Sequence, residues 1–149
     1  MRAVVQKAAF SNVVVEGEQK AQIDRGLMVL LAVKKGDSQQ EAEYIVDKII
    51  NLRIFEDEDG KMNRSLLDVE GELLMVSQFT LYGDVRKGRR PGFSDAEEPD
   101  AALKLFNYAV DYARAKVIKV ETGVFGANMM VRIDNEGPCT ILLDSEKNF

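Results

Sequence analysis

The chain has 149 residues, of which 46% are hydrophobic and 30% are charged, and its formal net charge at pH 7 is −5. This length suits a single domain spanning residues 1–149, and the composition is that of an ordinary soluble globular protein. The acidic balance argues against general nucleic-acid binding, which usually requires a net positive charge.

The sequence shows no membrane-spanning or secretory segment and contains a single cysteine. The longest uninterrupted apolar run, residues 27–33, is far shorter than a membrane span. The first residues lack the apolar segment of a secretory signal, and one cysteine cannot form an internal disulfide. We therefore expect a cytoplasmic protein without a membrane partner.

The absence of histidine restricts the chemistry. It removes the usual general base at neutral pH, the Ser–His and Cys–His nucleophile pairs, and every histidine-based metal site. Cys139 alone cannot form a thiolate metal site. A hydrolase of this sequence would depend on backbone amides, amide or hydroxyl side chains, carboxylates, lysines or the substrate itself, and we expect no metal and no other cofactor.

The N-terminal half predicts strands followed by one helix. Residues 2–6 and 12–16 are short valine-rich strands, a turn at residues 16–18 leads into a strand that reaches Ile23, and residues 26–33 form a continuous apolar strand.

A helix is predicted to begin at Ser38, because Ser38 and Glu41 have the spacing of a capping box. Its apolar residues recur at helical spacing and are assigned to the core rather than to a site. They are Ala42, Ile45, Val46, Ile49 and Ile50.

Residues 53–55 predict a strand that ends in the acidic run 56–60. A calcium loop does not fit this run, because the glycine follows Asp57 too early and Asp68 occupies the closing position of the EF-hand pattern. A turn is the better interpretation. Residues 65–69 are then predicted to form another strand.

Residues 72–82 predict a core strand that becomes polar towards its end. On a strand, Gln78 and Thr80 would share one face, while Ser77 and Phe79 would share the other. Buried polar groups need partners, so this cluster is either an internal hydrogen-bond network or a ligand site.

Four cations follow that strand within five residues: Arg86, Lys87, Arg89 and Arg90. A solvated loop is one interpretation. A loop that contacts backbone phosphates of RNA is the other, favoured by its position directly after the polar strand end.

A second helix is predicted to begin near Pro99, which suits a first helical turn. Its apolar stripe is again assigned to the core and consists of Ala102, Leu105, Phe106, Ala109, Val110 and Ala113. Residues 117–121 and 129–134 predict strands, residues 135–137 a turn that reverses the chain, and residues 140–143 a closing strand. Many strands with two separated helices indicate an α+β fold.

Two short motifs add a family resemblance. Ser77-Gln78-Phe79-Thr80-Leu81 resembles the signature strand of the D-aminoacyl-tRNA deacylases, and residues 135–140, Asn-Glu-Gly-Pro-Cys-Thr, resemble the second signature of that family, its Gly-Pro motif. The resemblance extends to residues 1–6, 26–31, 55–63 and 122–129, which is essentially the whole chain. It implies a small barrel-like mixed or antiparallel sheet flanked by two main helices, assembled as a homodimer.

The resemblance also implies hydrolysis of the ester that joins a D-amino acid, or glycine, to the 3′ adenosine of tRNA. Backbone N–H groups around Phe79 and Thr80 would polarise the carbonyl, and Ser77 and Gln78 would orient the ester and ribose. The RNA 2′-hydroxyl would help to activate water. A covalent Thr80 nucleophile is the less favoured alternative, because the sequence offers no evident base for it.

The same resemblance implies a cis bond between Gly137 and Pro138, whose carbonyls accept the substrate's α-amino group in the active site of the partner subunit. The backbone itself would exclude an L side chain. Cys139 stands where the family commonly has valine and would pack as a small hydrophobe. Phe125 and Met129 are candidates for holding the terminal adenosine by family position only.

Two other functions compete with this hypothesis. A non-enzymatic RNA-binding module would explain the basic loop, but it leaves the polar strand end and the Gly-Pro motif without a role, and no cluster of stacking aromatics is visible. A generic esterase with a Thr80 nucleophile lacks both a nucleophile-elbow pattern and a histidine.

Overall fold

The structure is a computed structural model that describes residues 1–149. The helices are α1 (Gln39–Asn51) and α2 (Pro99–Arg114), and one 3-10 turn spans Phe79–Tyr82. The strands are β1 (Arg2–Val15), β2 (Glu18–Ile23), β3 (Gly26–Ala32), β4 (Phe55–Glu56), β5 (Met62–Arg64), β6 (Glu72–Ser77), β7 (Val120–Thr122) and β8 (Met130–Asp144).

Six strands form one mixed sheet in the order β2-β1-β3-β6-β7, with β8 on the other edge of β1. β1 is antiparallel to β2, β3 and β8, whereas β3, β6 and β7 run parallel. Because β2 also contacts β6 and β7, the two ends of this order approach each other. The predicted barrel-like sheet flanked by two helices is confirmed.

The central strands β3 and β6 are buried on both faces, which explains their continuous apolar sequences. Leu27, Val29 and Leu31 pack into the larger core between the sheet and the helices. Met28, with Leu74 and Val76 of β6, packs into a smaller core on the opposite face of the sheet. Each fully buried aliphatic side chain of this kind contributes about 1.5–3 kcal/mol.

Both helices begin where the sequence predicts and pack against each other on the larger core. The capping box of α1 is formed, since Ser38 donates its N–H to Glu41 (2.7 Å) and its hydroxyl oxygen accepts from the Gln40 N–H (3.3 Å). Hydrogen bonds from the Ser38 side chain and backbone lower the pKa of Glu41. Neither α1 nor α2 combines the length and the apolar character that a membrane-spanning helix requires.

Two predicted strand pairs are single long strands. Residues 2–6 and 12–16 belong to one strand, β1, because β8 pairs along nearly its whole length while β3 and β2 pair with its two halves. The predicted reversal at residues 135–137 is wrong. Both halves of β8 run antiparallel to β1 in the same direction, and the residues between them form a bulge.

Two further strand predictions are wrong for a local reason. Residues 65–69 form turns, because Ser65 and Asp68 exchange side-chain-to-backbone hydrogen bonds of 2.8 and 3.1 Å that compete with a ladder. The strand predicted over residues 72–82 ends at Ser77, near the end of its neighbour β3, and the following backbone groups bond to each other in the 3-10 turn Phe79–Tyr82.

The remaining differences are shifts of element boundaries. The strand predicted at residues 53–55 is the two-residue β4, which pairs with β5. Residues 56–60 form the predicted turn, closed by hydrogen bonds between Asp57 and Lys61 and between Gly60 and Asp57. The strand predicted at residues 117–121 is β7, displaced towards Thr122.

Candidate active site

The candidate site begins where β6 leaves the sheet. Ser77 pairs with Leu31 of β3, and the Gln78 N–H donates the last hydrogen bond to the Leu31 carbonyl (2.9 Å). The chain then tightens, and the Gly83 N–H bonds to the Thr80 carbonyl (2.9 Å). The predicted sharing of faces therefore does not apply beyond Ser77, although Gln78 and Thr80 do meet, since the Gln78 side-chain amide donates to the Thr80 hydroxyl oxygen.

The first two backbone N–H groups of the 3-10 turn, those of Phe79 and Thr80, have no acceptor within the chain. Such groups are free to bind an oxygen atom of a ligand. The Thr80 hydroxyl contacts only the amide of Gln78, and no carboxylate or amine is hydrogen-bonded to it. The site therefore provides donors for a developing negative charge but no base for a threonine nucleophile.

A cavity of about 550 Å³ lies beside this turn. Its volume is in the range of small-molecule sites. Ser77, Gln78 and Phe79 line it together with Phe125 and Met129, whereas Thr80 is exposed outside its wall. The structure thus brings three of the four candidate catalytic residues, all but Thr80, next to the two side chains proposed from family position.

The cavity wall includes residues that the sequence reasoning did not assign to a site. They are chiefly Phe93, Glu97, Glu98, Ala102 and Asn128. Ala102 belongs to the stripe predicted as core, and it does pack against the core while also facing the cavity. The two glutamates precede α2 without any motif, so only the tertiary structure shows that they lie at the site.

The basic loop is held at this cavity by both of its ends. It follows the 3-10 turn, Asp84 bridges to Gly92, and Phe93 packs edge-to-face on Phe79 with 5.0 Å between ring centroids. Arg86 is paired with Asp84 (2.9 and 2.8 Å), and these bonds lower the pKa of Asp84. The other three cations, Lys87, Arg89 and Arg90, form no ion pair.

The second motif interrupts β8. Gln6 of β1 pairs with Thr140 and Ala8 pairs with Asn135, so residues 136–139 lie opposite Lys7 alone. The Gly137–Pro138 peptide bond is cis, as the resemblance implies, and both residues are exposed. Cys139 is buried in the larger core, as predicted for a small hydrophobe.

The two motifs lie far apart within one chain. The bulge lies opposite Lys7 of β1, Lys7 pairs with Leu27 of β3, and Leu27 pairs with Leu73 of β6. Along the strand direction the bulge is therefore aligned with Leu73, four residues before Ser77. It is also three strands away from β6. The motifs are therefore about 13 Å apart along the strand direction and about 14 Å apart across the strands. Together these give a separation of about 20 Å along the sheet.

Comparison with known proteins agrees with the resemblance. The family described as D-Tyr-tRNA(Tyr) deacylase matches residues 4–144. The chain is 65% identical over 149 residues to the D-aminoacyl-tRNA deacylase of Syntrophomonas wolfei and 57% identical over 150 residues to that of Thermosipho melanesiensis. Each alignment covers 100% of both proteins.

Two solved structures share the fold. One, titled c-Myc DNA Unwinding Element Binding Protein, superposes with a TM-score of 0.93 at 44% identity, covering 97% of this chain and 98% of that one. A probable eukaryotic D-amino acid tRNA deacylase superposes at 0.82 with 21% identity, covering 95% and 97%. From the family match and the close relatives together, the chain belongs to the D-aminoacyl-tRNA deacylase family and is a hydrolase that acts on an ester bond.

Proposed function

We propose that this enzyme releases D-amino acids from tRNA by holding the ester in place rather than by attacking it with a side chain. The observation that supports this most directly is the pair of free N–H groups, of Phe79 and Thr80, beside a cavity of about 550 Å³. Donors fixed in this way would stabilise the negative charge that develops on the ester carbonyl oxygen.

In this reaction water attacks the ester carbonyl carbon, the bond to the ribose 3′-oxygen breaks, and that oxygen leaves with a proton. The products are free tRNA and the free amino acid. The vicinal 2′-hydroxyl of the RNA would activate the water, which suits a chain without histidine. Ser77 and Gln78 would orient the ester and the ribose, since both line the cavity.

Stereoselectivity would come from Gly137 and Pro138 of a second copy of the chain in a homodimer. Within one chain this bulge is about 20 Å from Ser77 along the sheet, so we assign it to the cavity of the second copy rather than to its own. Placed in the partner's cavity, its backbone would accept the α-amino group and exclude an L side chain. Glycine has no side chain to exclude, so glycyl-tRNA would also be a substrate.

The rest of the site would bind the 3′ end of tRNA. Phe125 and Met129 give the cavity an apolar wall that suits the terminal adenosine. The basic loop at the mouth would contact backbone phosphates through Arg86, Lys87, Arg89 and Arg90, with Arg86 contributing least because Asp84 already neutralises it. We place this activity in the cytoplasm, as quality control of translation.

The test is deacylation of D-Tyr-tRNA and L-Tyr-tRNA by the purified protein, with Gly-tRNA as a third substrate. Loss of the D-ester and the glycyl ester, with the L-ester retained, is the expected result. Hydrolysis of both stereoisomers at similar rates would indicate an unselective esterase. Binding without hydrolysis of any of the three would indicate an RNA-binding module and overturn the proposal.

A further inference from the structure

The side-chain amide of Asn135 bridges the two ends of the bulge in β8. Its Oδ1 accepts a hydrogen bond from the Cys139 N–H (2.9 Å), and its Nδ2 donates to Oγ1 of Thr140 (3.1 Å). The same oxygen of Thr140 accepts from Nε2 of Gln6 on β1 (3.4 Å). One asparagine therefore joins the residue before the bulge to the two residues that end it.

Few other contacts hold the bulge. Residues 136–139 have no partner in the register of β1 and β8. The Lys7 ammonium lies 3.9 Å from the Glu136 carboxylate; the Lys7 side chain is only 8% exposed, but this long ion pair holds only the first residue of the bulge. Buried Cys139 anchors only one end. The path of Gly137 and Pro138 therefore depends largely on Asn135.

Gly137 shows how closely this path is defined. Its φ of +124° is one that residues with a side chain rarely adopt. A Cβ atom there would lie 3.1 Å from the Cys139 nitrogen, the donor that Asn135 binds. The Asn135 hydrogen bond and the required glycine thus act on the same short piece of backbone.

We propose that Asn135 is a positioning residue for stereoselectivity. By closing the bulge, it fixes the backbone of Gly137 and Pro138 where this backbone excludes an L side chain. The inference rests on the proposed function of that bulge and adds the residue that sets its position. Selection by exclusion is sensitive to such a residue, because a displacement of about 1 Å can admit a group that would otherwise clash.

The experiment compares wild type with Asn135→Ala, which removes both hydrogen bonds of Asn135, and with Thr140→Val, which removes one of them together with the long bond from Gln6 but keeps the bond to Cys139. The readout is the ratio of kcat/KM for D-Tyr-tRNA to that for L-Tyr-tRNA. We expect this ratio to fall about tenfold in Asn135→Ala, and by less in Thr140→Val, because one or two ordinary hydrogen bonds are lost. The fall should come mainly from faster hydrolysis of the L-ester.

Conservative variants separate positioning from general damage. In Asn135→Asp one carboxylate oxygen can accept from Cys139 and the other from the Thr140 hydroxyl, so the ratio should return to within about threefold of wild type. Thr140→Ser should behave in the same way. Asn12→Ala is the matched control, since Asn12 lies on β1 and bonds to Gln19 (3.0 Å) away from the bulge.

An unchanged ratio in Asn135→Ala, or equal losses on the D- and L-esters, would overturn the proposal, as would a fall in the Asn12→Ala control. If Asn135→Ala does not fold, Thr140→Val against Thr140→Ser decides the question. Hydrogen exchange of the Cys139 amide gives a readout that is independent of activity, and it should accelerate about tenfold in Asn135→Ala. Unchanged exchange of the Cys139 amide would overturn the proposal for Asn135. A wild-type enzyme that hydrolyses both esters equally would instead refute the proposed function, and the exchange measurement would still test whether Asn135 holds the bulge.

Discussion

The two motifs of this chain occupy two different kinds of interruption in one sheet. At the end of β6 the backbone tightens into the 3-10 turn Phe79–Tyr82 beside a cavity, and leaves two N–H groups without acceptors. In the middle of β8 the backbone widens into a bulge whose exposed tip is Gly137 and Pro138. The first region borders a cavity, whereas the second is an exposed segment of backbone.

The two regions are also held by different means. Arg2 donates to the Leu81 carbonyl (3.2 Å), lies over the ring of Tyr82, and is paired with buried Asp144 (3.3 Å), so charged groups brace the 3-10 turn. The bulge is held mainly by the neutral amide of Asn135. Under the proposed function these two regions would be half-sites that meet only when two chains associate, one supported by charged groups and the other by a neutral amide.

The largest expected effect is that of Phe79→Pro, which deletes one of the two free N–H groups. Proline suits the first position of a helical turn, and the backbone of Gln78 before it (φ −146°, ψ 80°) lies outside the helical region that a following proline disfavours. We expect kcat to fall by about 10²–10³. Phe79→Leu keeps the N–H and should retain activity within about tenfold, so an equal loss in both variants would assign the effect to the side chain.

The second prediction tests whether the half-sites combine across two chains. Phe79→Pro and Gly137→Ala, the latter strained at a φ of +124°, should each be inactive alone. Unfolded together and refolded, they should form heterodimers in which one site has an intact turn and an intact bulge. Random pairing should restore about a quarter of wild-type activity.

Both variants must first be shown to fold and to dimerise by size-exclusion chromatography and circular dichroism. With that control in place, no recovery of activity in the refolded mixture would contradict a site shared between two chains. Both motifs would then act within one chain.

The third prediction concerns the charged support of the 3-10 turn. Burial raises the pKa of Asp144, but hydrogen bonds from Asn148, the Glu146 N–H and Arg2 outweigh burial and hold the pKa below its ordinary value of 3.8. Since this carboxylate binds protons less readily in the folded state, it stabilises the fold at neutral pH, and the contribution is lost as the pH falls through its folded-state pKa. Asp144→Asn should therefore cost about 2 kcal/mol at pH 7.

Urea unfolding at several pH values measures this effect, and the gap between wild type and Asp144→Asn should narrow below pH 3.8. Asp134→Asn is the matched control, because its pair with Arg132 on the same strand is exposed and should contribute less than about 1 kcal/mol. A gap that stays constant with pH would show that packing, not charge, braces the turn.

The smallest effect is expected from the basic loop, which belongs to the cavity region. Arg89→Ala or Arg90→Ala should each reduce the slope of log affinity against log salt by about one unit. Arg86→Ala changes the net charge equally but removes a cation that Asp84 already neutralises, so its slope should change less. Filter binding of tRNA at several salt concentrations measures these slopes. If all three variants keep the wild-type slope, the loop is solvated and does not contact the phosphates of tRNA.

The sequence alone determined the elements whose signals are local. The capping residues Ser38 and Glu41, the Pro99 helix start and the apolar run of β3 were predicted correctly, because helix caps and two-face burial leave their pattern in consecutive residues. The signature residues of both motifs were likewise identified from the sequence, and with them the family.

Only the tertiary structure decided how the interrupted strands behave. β1 and β8 are long because each is the other's partner, a non-local pairing that no window of the sequence contains. Residues 79–82 leave the strand because the neighbouring strand β3 ends, and Glu97 joins the cavity only through the placement of α2. The sequence determined which residues are candidates for the site, and the separation of the two motifs depended on the folding of the whole sheet.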